Sequence, residues 1–163
     1  MLFRSTLMRG VKQNIERDGS LSPVAFVVAT RDPQTGAPYS GTELHVLSLE
    51  SIMTKEAETT LAEQVRAYAS AAGAVTVAVA TESWSLRKKR LTEEDREILA
   101  REGVAGHPDR EEHATFVMEH VSGTRVWAAC IRRGADDSVK LEPFILQKNP
   151  MWRGPLRDLL PSD

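Results

Sequence analysis

The stretch Ala74-Val75-Thr76-Val77-Ala78-Val79-Ala80 constrains the chain most, because it is rich in β-branched residues and carries no charge. A strand with one wet face alternates apolar with polar; this one does not, so both of its faces must be covered. It is therefore expected in the middle of a sheet, with Val75, Val77 and Val79 buried. The stripe Ala57, Leu61, Val65, Tyr68 and Ala72, spaced as one helical face, should pack over it. That helix has Thr54 as its N-cap, Glu56 and Glu58 where the helix dipole favours acids, and Gly73 as its stop.

The remaining elements follow from the same periodicities. Phe3, Leu7, Val11 and Ile15 recur every four residues and mark a first helix from about Arg4 to Arg17, ended by Asp18-Gly19. Ala25 to Ala29 and Tyr39 to Leu49 are two strands of a hairpin whose tip, Asp32-Pro33-Gln34-Thr35-Gly36, is dense in turn residues. Thr92 and Asp95 have the spacing of a capping box and start a short helix that Gly103 and Gly106 end. Three strands follow, about His113 to Val121, Arg125 to Arg132 and Val139 to Leu146, the first two joined by a Ser122-Gly123 turn. The fold class expected is α+β: a single, mostly antiparallel sheet in the order α-β-β-α-β-α-β-β-β, with helices packed on it. At 163 residues one domain, 1–163, is expected, with residues 147–163 as a C-terminal tail that docks through Leu156, Leu159 and Leu160.

Composition removes several function classes. With 21 basic and 23 acidic side chains the net charge is −2, which gives no global field for nucleic acid or an anionic membrane. The lone Cys130 forms no internal disulfide, and no apolar run is long enough for a membrane span, so a cytoplasmic location is expected. Met1 to Gln13 holds Arg4, Arg9 and Lys12 without an acid, as organellar transit peptides do, but its four-residue apolar spacing fits a core-facing helix. No glycine-rich phosphate loop, dinucleotide fingerprint, paired Cys-x-x-Cys, His-Glu-x-x-His or Gly-x-Ser-x-Gly occurs.

The densest chemistry lies in His107-Pro108-Asp109-Arg110-Glu111-Glu112-His113, where two imidazoles and three carboxylates fall within seven residues. If this segment is extended, His107, Asp109, Glu111 and His113 share one face and offer ligands for zinc, manganese or iron. Neighbouring carboxylates there also suit general acid or base work. The plainer account is an exposed, charged helix-to-strand connection in which Arg110 neutralises its neighbours. On that account no cofactor is needed, with a divalent metal as the alternative.

Glu82-Ser83-Trp84 after a buried strand, followed by His107-Pro108-Asp109-Arg110-Glu111-Glu112 leading into the next, resembles a family of uncharacterised small proteins of bacteria and phages. The resemblance covers residues 74 to 131. It implies that Trp84 and the His-Pro-Asp-Arg segment belong together, and it carries no assigned activity.

Arg87-Lys88-Lys89-Arg90 beside Trp84 is the one basic cluster, but Glu93, Glu94, Asp95 and Glu97 follow at once, so a solvated loop is expected. Trp84 is expected to anchor that loop on the core. Cys130 belongs on a strand as a small buried residue, and His45 and His120 are single structural histidines. The function expected is a non-enzymatic binding or regulatory module, self-associating or with a protein partner. Its competitor is a metal-dependent hydrolase or nuclease built on His107, Asp109, Glu111, Glu112 and His113. A nucleic-acid binder using Trp84 and Arg87 to Arg90 is the weaker third class.

Overall fold

Strand β3 (Thr76–Ser85) occupies an interior position in the sheet, and all its residues from Thr76 to Thr81 are buried. The structure is a computed structural model that describes residues 2–49, 55–86, 88, 90–148 and 158–161. Thr54, Arg87, Lys89, Trp152 and Leu156 lie outside the described residues, as do the side chains of Glu56, Ala57 and Glu58. Around β3 the chain builds α1 (Leu2–Asp18), β1 (Val24–Arg31), β2 (Pro38–Ser48) and α2 (Lys55–Ala71) before it, and α3 (Glu93–Glu102) with a 3-10 turn (Val104–Gly106) after it. Then come β4 (Glu111–His120), β5 (Gly123–Arg133), β6 (Val139–Leu141) and β7 (Ile145–Leu146). Neighbouring strands follow the order β2-β1-β3-β4-β5-β6, with β7 on β5. β1 pairs antiparallel with β2 and β3, and β5 with β6. The fold is α+β and antiparallel, as the periodicities require.

The described residues group into two compact units. One comprises Met1–Leu21, Glu82–Ala114 and Ala128–Ile145. In it, Leu7, Val11 and Ile15 are buried as their spacing predicts, while Phe3 at the start of the stripe is exposed. Helix α1 ends where Gly19, at φ 78°, donates its N–H to the Ile15 carbonyl. It is tied to β6 by two bonds at one residue: Lys12 Nζ donates to the Leu141 carbonyl at 3.0 Å, and Glu16 Oε1 accepts from the Leu141 N–H at 3.1 Å.

The other unit comprises Ser22–Thr81, Thr115–Trp127 and Leu146–Asp163. Its core joins Ala25, Val27 and Ala29 of β1 to Val77 and Val79 of β3 and to Ala62, Val65 and Ala69 of α2. The register sets Val27 against Val77 on one side and His45 on the other. Leu159 of the C-terminal tail enters the same core, and Glu119 Oε2 accepts from the backbone N–H groups of Leu159 at 2.6 Å and Leu160 at 3.2 Å.

Four local expectations need correction. The strand expected over Val139 to Leu146 is two short ones, because Pro143 brings no N–H to the ladder. The β4–β5 loop is Val121-Ser122 rather than Ser122-Gly123: Gly123, at φ 132°, already opens β5. Val75 precedes β3 and is only half-buried. Trp84 is not buried on the core as expected, since β3 continues to Ser85 and leaves this side chain 50% exposed.

Candidate functional site

The segment from His107 to His113 is not extended throughout. Pro108 and Asp109 form a turn in which Arg110 donates its N–H to the His107 carbonyl, and only from Glu111 onward is the backbone a strand. The expected single face of four ligands is therefore broken, and its members go to different partners.

His107 is buried against the start of α3. Thr92 and Asp95 form the capping box expected of them: Thr92 Oγ1 accepts from the Asp95 N–H at 3.1 Å, and Asp95 Oδ2 accepts from the Thr92 N–H at 2.8 Å. The other oxygen, Asp95 Oδ1, lies 2.9 Å from His107 Nε2 and 2.7 Å from Lys88 Nζ. Because the Asp109 N–H donates to His107 Nδ1 at 3.0 Å, that nitrogen is the acceptor and Nε2 carries the proton given to Asp95. Lys88 also reaches Asp109 Oδ2 at 2.7 Å. The ammonium of Lys88, more than any other neighbour, holds the Asp95 carboxyl far below its ordinary range, helped by the Thr92 N–H. Asp109 and Asp95 in turn push the Lys88 ammonium above its usual value. Asp95, His107 and Asp109 thus have metal-compatible donors, with the protein's own ammonium between the two carboxylates.

The rest of the segment disperses. Glu112 Oε2 accepts from Arg133 Nε at 2.8 Å, and the same guanidinium donates to the Gly19 carbonyl. Arg110 donates to the Ala105 carbonyl. Glu82, first residue of the Glu-Ser-Trp stretch, accepts the Leu21 N–H at 2.6 Å, and its burial raises its pKa. His120 is exposed and bonded to Ser122. Lys88 is not a solvated loop charge as expected, since two carboxylates hold it.

His113 and Glu111 meet a residue from outside the segment. His113 Nδ1 lies 3.6 Å from Cys130 Sγ on β5, and His113 Nε2 lies 3.5 Å from Glu111 Oε2. Both His113 and Cys130 are buried, and the three side chains form a second group with donors suited to a metal.

A third cluster was not anticipated from the sequence. A cavity of about 510 Å³ is lined by Asp32, Pro33, Gln34, Tyr39, His45, Tyr68 and Ala71. His45, on β2, sits between two phenols: Tyr68 Oη is 2.8 Å from Nδ1 and Tyr39 Oη is 3.3 Å from Nε2. Both rings meet the imidazole edge-on, with centroids 5.8 and 5.9 Å away. Glu43 Oε2 lies 3.6 Å from Nε2. At the cavity's rim Asp32 Oδ1 accepts the N–H groups of Gln34 at 2.7 Å and Thr35 at 3.0 Å, and these hold the carboxyl below its ordinary range. Burial, and then the charges of Glu43 and Asp32, push the Tyr39 phenol upward. Arg31, the next residue along, is committed to the last carbonyls of α2 at Ser70 and Ala71.

Comparison of the chain with protein-family models, with curated proteins and with solved structures gives no match.

Proposed function

We propose that this chain is a non-enzymatic binding module whose ligand is a small organic cation, seated in the cavity between Asp32, Tyr39, His45 and Tyr68. The observation that carries this is the combination of an ionised carboxylate with two phenol rings around a cavity of ligand size. Ammonium groups are attracted to aromatic faces by about 0.5–2 kcal/mol, and Asp32 and Glu43 add charge of the right sign. Tyr68, His45 and Tyr39 are held by one another, so the seat is formed before anything enters it.

A binding role is favoured over metal-dependent hydrolysis by Lys88, whose ammonium already sits at hydrogen-bond distance from Asp95 and Asp109. The same pairing takes Lys88 out of a basic surface for nucleic acid.

Titration calorimetry with benzyltrimethylammonium and phenethylamine tests the proposal, with benzoate and benzyl alcohol as matched anion and neutral. Saturable binding of the cations alone is expected, with Kd on the order of 1 mM for ligands this small. Asp32→Asn keeps the oxygen that caps the turn but removes its charge, and should weaken binding about fivefold, the equivalent of about 1 kcal/mol. Equal binding of benzoate, or an Asp32→Asn protein that binds the cations as tightly as the parent, would refute it.

A further inference from the structure

We propose that Glu111, His113 and Cys130 are the ligands of a zinc ion that joins β4 to β5. All three belong to the unit that holds α1 and α3, and none lines the His45 cavity, so the site is independent of the ligand assigned there. It keeps two of the four ligands that the sequence suggests. A thiol takes the place of His107 and Asp109, which are engaged by the helix cap and by Lys88.

Strand geometry brings the donors together. Glu111 and His113 are two apart on β4, so their side chains leave the same face, and β5 with Cys130 is the neighbouring strand. Side chains opposite one another on such a pair start only about 4.5–5.5 Å apart at Cβ. One carboxylate oxygen, one ring nitrogen and the sulfur all lie within 4.8 Å of one another. A tetrahedral zinc with bonds of about 2.0–2.3 Å holds its donors about 3.3–3.7 Å apart. His113 Nδ1 is 3.6 Å from the sulfur and Nε2 is 3.5 Å from Glu111 Oε2, so each neighbour already stands at about that spacing from the ring. The nitrogen-to-oxygen spacing is also longer than the about 2.7–2.9 Å of a charge-assisted hydrogen bond. Even a spacing of 4.8 Å needs to close by only about 1.5 Å. Glu111, 32% exposed, covers that by turning on its χ angles.

The donor set selects the ion. A thiolate is a soft ligand and an imidazole a borderline one, which suits zinc and disfavours magnesium and calcium, whose shells are built of oxygen. The thiolate and the carboxylate carry one negative charge each, and the imidazole binds as the neutral ring. Those two charges cancel the charge of the ion, so the site is neutral, as the burial of His113 and Cys130 favours. At the other group of donors the Lys88 ammonium already stands between Asp95 and Asp109. Here Arg132, two residues along β5 and on the face of Cys130, is engaged by Glu142 Oε1 at 2.9 Å. Zinc binding releases the thiol proton to solvent, and a water fills the fourth corner.

The test uses the full, untagged chain and the metals alone. Cobalt(II) added to the chelator-stripped protein should give the near-ultraviolet thiolate-to-metal charge-transfer band, which Cys130 alone can supply. Zinc should bleach that band by displacing cobalt, whereas magnesium and calcium should leave it unchanged. Cys130→Ser should lose the band, and zinc should raise the Tm of the parent but not of this variant. Glu111→Gln, at a partly exposed position, should melt like the metal-free parent yet bind zinc at least about tenfold more weakly. His113→Gln should bind as weakly, and Glu111→Gln and Cys130→Ser carry the test if that variant does not fold. Cobalt bound without a charge-transfer band would assign the metal to other donors, such as Asp95, His107 and Asp109, and overturn the proposal. So would a chain that binds no cobalt, or a Glu111→Gln protein that holds zinc as tightly as the parent.

Discussion

Leu159 is 1% exposed, packs in the core with Val65, Val77 and Val79, and holds its backbone N–H against Glu119 Oε2 at 2.6 Å. Leu159→Ala removes the equivalent of three methylenes, about 2.4 kcal/mol of transfer free energy at ~0.8 each. The space left behind raises the total to about 3–5 kcal/mol. For a chain this size that is a drop in Tm of about 6–20 °C. Glu119→Ala acts on the same tail from the other side, leaving the Leu159 N–H buried without its acceptor at a cost of about 1–3 kcal/mol. Since both substitutions release one segment, the double mutant should lose less than the sum, with a coupling of about 1 kcal/mol or more. Urea unfolding followed by circular dichroism reads all three proteins. A loss under about 0.5 kcal/mol for Leu159→Ala, or strict additivity in the double mutant, would show that the tail is not held by this core.

Val77→Asp puts a charge where the side chain is 1% exposed and faces Val27 across the sheet, so several kcal/mol of a total near 10 should be lost and the protein should not fold. A cooperative melt for this variant would contradict the central placement of β3. The pair of Lys88 and Asp95 contributes at both ends of the pH range. The folded carboxyl of Asp95 lies below its unfolded value of about 3.9, so its contribution is present above that pH and lost as pH falls through the depressed folded value. The folded ammonium of Lys88 lies above its unfolded value of about 10.4, so its contribution is present below that pH and lost as pH rises through the raised folded value. Lys88→Met should therefore shift the acid unfolding midpoint upward and remove part of the alkaline transition, read by fluorescence from pH 1 to 12. An unchanged acid midpoint would refute the pairing.

The parts of the fold that were legible in the sequence are those where one local signal is strong enough to override its surroundings. The uncharged run at residues 74–80 has one comfortable environment, and the structure puts β3 in it. The Thr92–Asp95 box needs only the four residues that form it. Val139 to Leu146 misled because apolar content argued for one strand while a single missing N–H at Pro143 interrupts the ladder. Trp84 misled because ring size argues for burial, whereas the extension of β3 to Ser85 decides where the side chain points.

The sites were harder to read because their members are brought together by register. Tyr39 and His45 are six residues apart on one strand, so they share a face, and Tyr68 lies in the stripe of α2 that covers the sheet. Both facts were available separately, but the meeting of His45 with Tyr68 needs the helix to cross at that level, which no periodicity states. Cys130 and His113 depend on a single residue of loop. A two-residue turn at Val121-Ser122 sets 120 against 123, and counting back from there sets 113 against 130, the pair found 3.6 Å apart. A turn placed one residue later, at Ser122-Gly123, would set His113 against Arg132 and leave Cys130 as an isolated buried thiol. The His107 to His113 segment shows the converse. Its composition argued for one converging site, but the turn at Pro108-Asp109 rotates the chain between the two histidines. His107 is thereby given to a helix cap, where its proton is fixed, and His113 to the only thiol in the chain. Two residues of the same type, six apart, thus meet different partners, with the turn at Pro108-Asp109 between them.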